Sequence, residues 1–428
     1  MRRTHATALA GTLLLLASLG CEQHTFKTCD ITQRACQQDV YYHMLSLRGD
    51  AYDPFGGLPP VTVITEAEFR AQLEGEQATA AKSGPNPWDK ALVLLHFNGS
   101  PSPPVGDAGA GSDGGAAANG DAGGDAGSST SAIDDEVTHI YAYYDPQTKT
   151  VTVISHPVQT GDHPLEEAMI TLGHELVHAL QDRELNLSTQ DIRTSDEYLS
   201  YKGVVEGDAR FYENLFTNDI RVMLGLGALD ALQMPDQEVD YAYSHFDQLG
   251  SPLFAAQYLM YPLGAKYEAT EYRSGGNAAV RHGYAKAPHR TIGFLVGPDG
   301  RVPPVSSGNV SPAPAVCSLL TKNSSASADQ FGAVLIYTFL RGWGVSHNDA
   351  FSTAQSWTGD YMLVQANSDV SVTAVAWRLE FSATPLTRIV QALTASGELS
   401  VNAAAGSIEI TVTDSPTPLV WQPSANCP

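Results

Sequence analysis

Positive charge is what this chain has least of: 24 Lys and Arg face 47 Asp and Glu, giving a net charge of -23. Phosphate backbones and anionic lipid surfaces are bound by clustered Lys and Arg, and no such cluster occurs. Nucleic acid is therefore excluded as a partner, and so is an unassisted membrane surface. Cysteine is scarce too, with five in 428 residues. None has zinc-finger spacing, which leaves disulfides as the task of Cys29, Cys36, Cys317 and Cys427. The short gap between Cys29 and Cys36 favours a local loop, leaving Cys317 for Cys427. Long apolar runs are missing except Ala8 to Leu19, which is too short to cross a bilayer and follows Arg2 and Arg3, the layout of an export signal. Residues 101–132 lack Lys, Arg and large apolar side chains, so they cannot bury enough surface to order themselves and read as a disordered insertion.

What is present fits a globular protein, with 43% apolar residues and length enough for one large domain or two smaller ones. Residues 1–20 form the signal and 21–60 an extended leader with one small loop. Val61 to Thr65 is strand-like, Glu66 to Glu76 helix-like, and Ala91 to Phe97 reads as a second strand. After the insertion, Thr138 to Tyr144 and Thr150 to Ser155 read as strands joined by a turn at Asp145 to Lys149. The chain is mostly helical from 184 to about 285. Residues 328–413 mix a helix at Phe331 to Arg341, a short one at Ala350 to Gln355 and alternating strands near 370–377 and 408–412. The fold class is α+β, with a main domain over 61–300 and a segment over 301–428 packed on it.

The chemistry concentrates at His174-Glu175-Leu176-Val177-His178. In a helix, residues four apart share a face, so both imidazoles can reach one metal ion with a carboxylate beside them. Pro164, Glu166 and Glu167 suit the start of that helix, and Leu165, Met169, Leu172, Leu176 and Leu180 give it an apolar side away from the histidines. A catalytic zinc needs a third protein ligand. Gln181 and Glu184 exclude the long metzincin motif. Glu206 is the best candidate, because Gly203 and Gly207 beside it would let its helix approach the histidine helix closely; Asp182, Asp208 and Glu213 compete, and a simple pair between Glu206 and Arg210 is the bland alternative. Glu175 suits a general base. Tyr261, His289 and Arg290 are candidates for stabilising an oxyanion, while Asp182 and Asp208 could fix the tautomer of a ligating histidine. His156, His163, His245 and His282 lack partner spacing.

Residues 174–182 together with Val-Glu-Gly-Asp-Ala at 205–209 resemble a group of bacterial gluzincin-like metallopeptidases. Tyr261 to Tyr267, Gly275, Gly276, Val280, Tyr284 and Pro288 are similar to that group's next block, and Ser356 to Asp360 with Trp377 to its C-terminal segment. Arg183 and the His289-Arg290-Thr291 stretch depart from it. The resemblance spans roughly residues 165–395. It implies a zincin-like fold, with a mixed or antiparallel sheet beside the His174 helix. It also implies zinc on His174, His178 and Glu206, Glu175 as base, and a peptide or protein substrate. Leu16 to Cys21 resembles a bacterial lipoprotein signal, with Ser18 where Leu is usual. That likeness implies export to the bacterial cell envelope, at the outer membrane facing the periplasm or at the cell surface, with a membrane anchor through lipid on Cys21. The competing expectation is a non-catalytic surface lipoprotein that keeps the zincin fold.

Overall fold

The structure, a computed structural model, describes residues 27–50, 53, 56–82, 86–98, 133, 137–156, 165–189, 192–284, 290–297, 324–367, 370–371 and 373–414. The export signal, Cys21, the insertion at 101–132, Cys317, Cys427 and His289 lie outside the described residues.

The architecture is mixed α+β. Its first part runs α1 (Arg34–Arg48), β1 (Val61–Thr65), α2 (Glu66–Lys82), α3 (Pro87–Leu94), β2 (Ala142–Asp145), β3 (Thr150–Ser155) and α4 (Leu165–Leu185). Helices dominate the middle: α5 (Ser195–Met223), α6 (Met234–Ser244), α7 (Pro252–Gly275), α8 (Asn277–Tyr284) and α9 (Ile292–Val296). The last part is β4 (Ser324–Asp329), α10 (Gly332–Gly342), α11 (His347–Gln355), β5 (Trp357–Asn367), β6 (Thr373–Phe381), α12 (Thr387–Thr394), β7 (Ser400–Ala404) and β8 (Ser407–Thr413).

Three expectations are corrected. The leader is not extended, because Val40, Tyr41, Met44 and Leu45 recur at helical spacing and bury one side of α1, whose start is stapled by the Cys29–Cys36 disulfide. Ala91 to Phe97 is not a strand. Asn86 accepts a hydrogen bond from the Trp88 amide at 3.1 Å and Pro87 opens the helix, so the apolar run is mostly wound into α3. The strand expected from Thr138 is shorter, since residues 137–139 are helical and pairing starts at Ala142.

In the smaller sheet the strand order is β1-β3-β2, with Val61 parallel to Val151 and Tyr144 antiparallel to the same residue. This makes β2 an edge strand, and α4 lies alongside it. The larger sheet has the order β4-β5-β6-β8-β7 and is antiparallel throughout. One core joins α1, β3, α4 and the later turns of α5 through Val40, Met44, Val153, Leu172, Phe211 and Phe216. The other joins α7 and α10 to the larger sheet through Leu259, Met260, Ile336, Trp357 and Trp377. Because α5 and α7 contribute to both, they fix everything mounted on α5.

The glycines of α5 work differently from what their positions beside Glu206 suggest. Gly207 packs on Gly264 of α7, and a Cβ on Gly264 would overlap the Gly203 carbonyl oxygen. They bring α5 onto α7 and not onto the histidine helix, which meets α5 at Gly173 against Phe216.

Two buried carboxylates clamp the second core. Asp360 accepts four N–H donors: Phe331 N at 2.9 Å, Gly332 N at 2.9 Å, Trp357 Nε1 at 3.1 Å and Trp377 Nε1 at 2.9 Å. Asp196, in the first turn of α5, accepts from Thr291 N at 3.0 Å and Thr291 Oγ1 at 2.5 Å. Gly332, at φ 81°, lies where any Cβ would overlap the Asp196 carboxylate. Burial pushes the Asp196 carboxyl up to about 7 against the pull of Thr291 and Arg290. A carboxyl raised in the folded state contributes stability that is present below its unfolded value of 3.8 and is lost as pH rises through the folded value. Unfolding free energy should therefore fall between about pH 4 and pH 7 by up to about 4 kcal/mol relative to Asp196→Asn. Denaturant titrations of both proteins across that window measure it, and parallel pH profiles would refute it.

Candidate metal centre

The His174 helix starts with Glu166 and Glu167 in its first turn and ends with Arg183 in its last, which matches its dipole. Leu172, Leu176 and Leu180 bury one side, and His174, Glu175 and His178 are buried on another. Ligand-capable atoms of those three residues lie within 4.8 Å of one another. Glu206 comes in from α5: its Oε2 is 3.3 Å from His174 Nε2 and 3.2 Å from His178 Nε2. The alternative pairing with Arg210 is not formed, since that guanidinium engages Glu213 and Glu238.

The far side of each imidazole fixes its tautomer. His174 Nδ1 is 2.8 Å from Glu213 Oε2. Burial alone would raise the Glu213 carboxyl, but Arg210 and His174 hold it below the usual carboxylate range, so it only accepts. His178 Nδ1 is 2.8 Å from Gln181 Oε1, and the amide nitrogen of Gln181 is spent on Val205 O and Asp208 Oδ2, each at 2.8 Å. The amide is thus oriented by two acceptors and must present oxygen to His178. Both histidines then carry their proton on Nδ1 and turn the Nε2 lone pair toward Glu206. Without a metal, a proton on an imidazole Nε2 balances the Glu206 charge, and a bound cation would take that proton's place. Burial would lower His174, yet Glu206 and Glu213 override it and push the imidazole up to about 10; the same imidazoles hold Glu206 well below the usual carboxylate range. The donor set therefore fits a borderline metal such as zinc.

Glu175 stands beside the two histidines, within 4.8 Å of their ligand atoms, and is held by a different partner. Its Oε2 accepts the Tyr144 amide of edge strand β2 at 2.8 Å, and burial raises its carboxyl despite the nearby imidazoles. Asp182 does not orient a histidine: it accepts from Tyr144 Oη at 2.9 Å, Lys149 at 2.8 Å and the Leu187 amide at 2.7 Å. Asp208 is linked to His178 through Gln181 and also meets Arg48 of α1 at 2.7 Å, with both side chains buried. Glu213 and Gln181 do the orienting that sequence reasoning gave to the two aspartates. Glu213 follows Glu206 by seven residues, two turns along one face, which was the available signal.

Tyr261 lines the site, where burial and the nearby Glu206 push its hydroxyl well above its ordinary value, and its ring stacks 6.3 Å from His174. Arg290 is held by Asp196 and Gln330 and does not line the cavity. His156 bonds Glu66 and the Ile140 carbonyl, away from the trio. A cavity of about 330 Å³ opens over the site, lined by His174, Glu175, His178, Lys202, Glu206 and Tyr261 together with residues of α2 and β2. No described helix is long and apolar enough to cross a membrane. Comparisons with protein-family models, curated proteins and solved structures return no match.

Proposed function

We propose that this chain is a zinc-dependent peptidase of zincin-like architecture, held at a cell envelope by a lipid on Cys21. The observation that supports it best is the convergence of His174 Nε2, His178 Nε2 and the Glu206 carboxylate, with both far nitrogens committed to acceptors. Zinc on these three residues would supply an acidified water and a polarised carbonyl. Glu175, buried and raised, is suited to take a proton from that water and deliver it to the leaving amine. Its tie to the Tyr144 amide leaves the second carboxylate oxygen for this transfer. Tyr261, whose hydroxyl stands beside Glu206, is suited to donate to the oxyanion. A purely structural or binding role would need no buried base next to the ligands, which disfavours the non-catalytic reading.

Metal analysis of wild type beside Glu206→Ala, coupled to a peptide-library cleavage assay, tests the assignment. Wild type should carry stoichiometric zinc and cleave peptides, and the variant should lose both. Full zinc in Glu206→Ala would remove that residue from the ligand set, and zinc-loaded wild type that cuts nothing would end the peptidase reading.

A further inference from the structure

The cavity wall contains a cation with no carboxylate partner among the described residues. Lys202 stands one helical turn before Glu206 on α5, so the two side chains rise from the same face. Its ammonium lies 5.3 Å from the centre of the Tyr261 ring, and among the described residues it forms no salt bridge. Three other lysines of this acidic chain are neutralised: Lys90 pairs with Asp414, Lys149 with Asp182 and Lys266 with Asp236. An ammonium that pairs with none of Glu76, Glu175 and Glu206 in the same wall points to an anion that arrives with the substrate. Another part of the wall is apolar, formed by Phe69, Leu73 and Ile140 with Tyr143. The volume of about 330 Å³ is at the small end for a ligand site.

Resting on the peptidase reading, we propose that Lys202 anchors the free C-terminal carboxylate of the substrate while Phe69, Leu73 and Ile140 receive an apolar terminal side chain. The enzyme is then a carboxypeptidase that removes single residues from peptide ends. Water adds across the last peptide bond: its hydroxyl joins the acyl carbon, its remaining proton goes to the leaving nitrogen, and the terminal residue departs as a free amino acid. The carboxylate of every peptide C-terminus supplies an anion able to pair with Lys202, which no described carboxylate does. Without Lys202 the neighbouring glutamates would repel it.

The test uses acetylated peptides ending in Phe or Leu, each made as the free acid and as the amide, with zinc-loaded wild type and Lys202→Met. A charge-assisted hydrogen bond to the ammonium should give wild type about a 10- to 100-fold preference in kcat/KM for the acids. Cuts should fall only at the last bond, and in Lys202→Met the preference should collapse toward one. Equal cleavage of acids and amides by wild type, or cuts inside longer peptides, would overturn the carboxylate anchor and leave the peptidase reading standing. A Lys202→Met variant that slows acids and amides alike would overturn it too, reassigning the ammonium to the oxyanion. Zinc-loaded wild type that cuts neither would defeat both readings together.

Discussion

Glu175→Gln is expected to retain zinc and fold while losing about 100- to 10,000-fold in turnover, the range that a positioned general base contributes. The substitution is nearly isosteric. Its amide oxygen can still accept the Tyr144 N–H that now reaches Glu175 at 2.8 Å. Nothing in the ligand set changes, because His174 and His178 meet Glu206 and not Glu175 through Nε2. A buried carboxyl raised by desolvation is also exchanged for a neutral group, so stability should hold or rise. Peptide turnover and zinc content measured on the same preparation decide the matter. Retained turnover would strip Glu175 of its role as base, and lost zinc would show that it ligates.

The second large effect concerns stability. Asp360→Ala leaves four buried N–H donors without an acceptor: the two amides that open α10 and the indoles of Trp357 and Trp377. Each orphaned donor costs roughly 1–3 kcal/mol, and the costs overlap because all four share one site. A loss of at least about 4 kcal/mol is expected, a large share of the total stability of a domain. Both indoles are almost fully buried, so tryptophan emission reports the change directly during urea unfolding. A loss below about 1 kcal/mol would mean that the donors find other acceptors.

The part of the site that was legible in the sequence is the part that is local. His174 and His178 could be placed on one face because helical geometry fixes residues four apart, and no other element is needed to say so. Glu206 was reachable by composition, though the glycines that drew attention to it serve its packing on α7. Gln181 and Glu213 were seen and given other roles, since orienting an imidazole depends on which helix crosses where. Asp360 was noticed within Ser356 to Asp360, but its donors come from three separate elements that no local pattern links. The misread Ala91 to Phe97 shows the limit of short apolar runs, which suit a buried helix as well as a strand; there Asn86-Pro87 was the deciding signal. Tyr261 was a candidate oxyanion donor, and the structure places it in the cavity wall near Glu206.

Arg48 gives the centre a timetable. The line from Arg48 through Asp208 and Gln181 to His178 joins a helix near the start of the chain to the histidine helix, and its first link spans 160 residues. Closing so long a loop is entropically costly and slow, and contacts of that separation form late in folding. As the chain emerges with α1 first, Arg48 has its neighbour Asp50 at 3.5 Å, and its buried partner Asp208 arrives with α5. The imidazole support is therefore finished only when both ends of that span have docked, so the metal centre can be complete only late in folding.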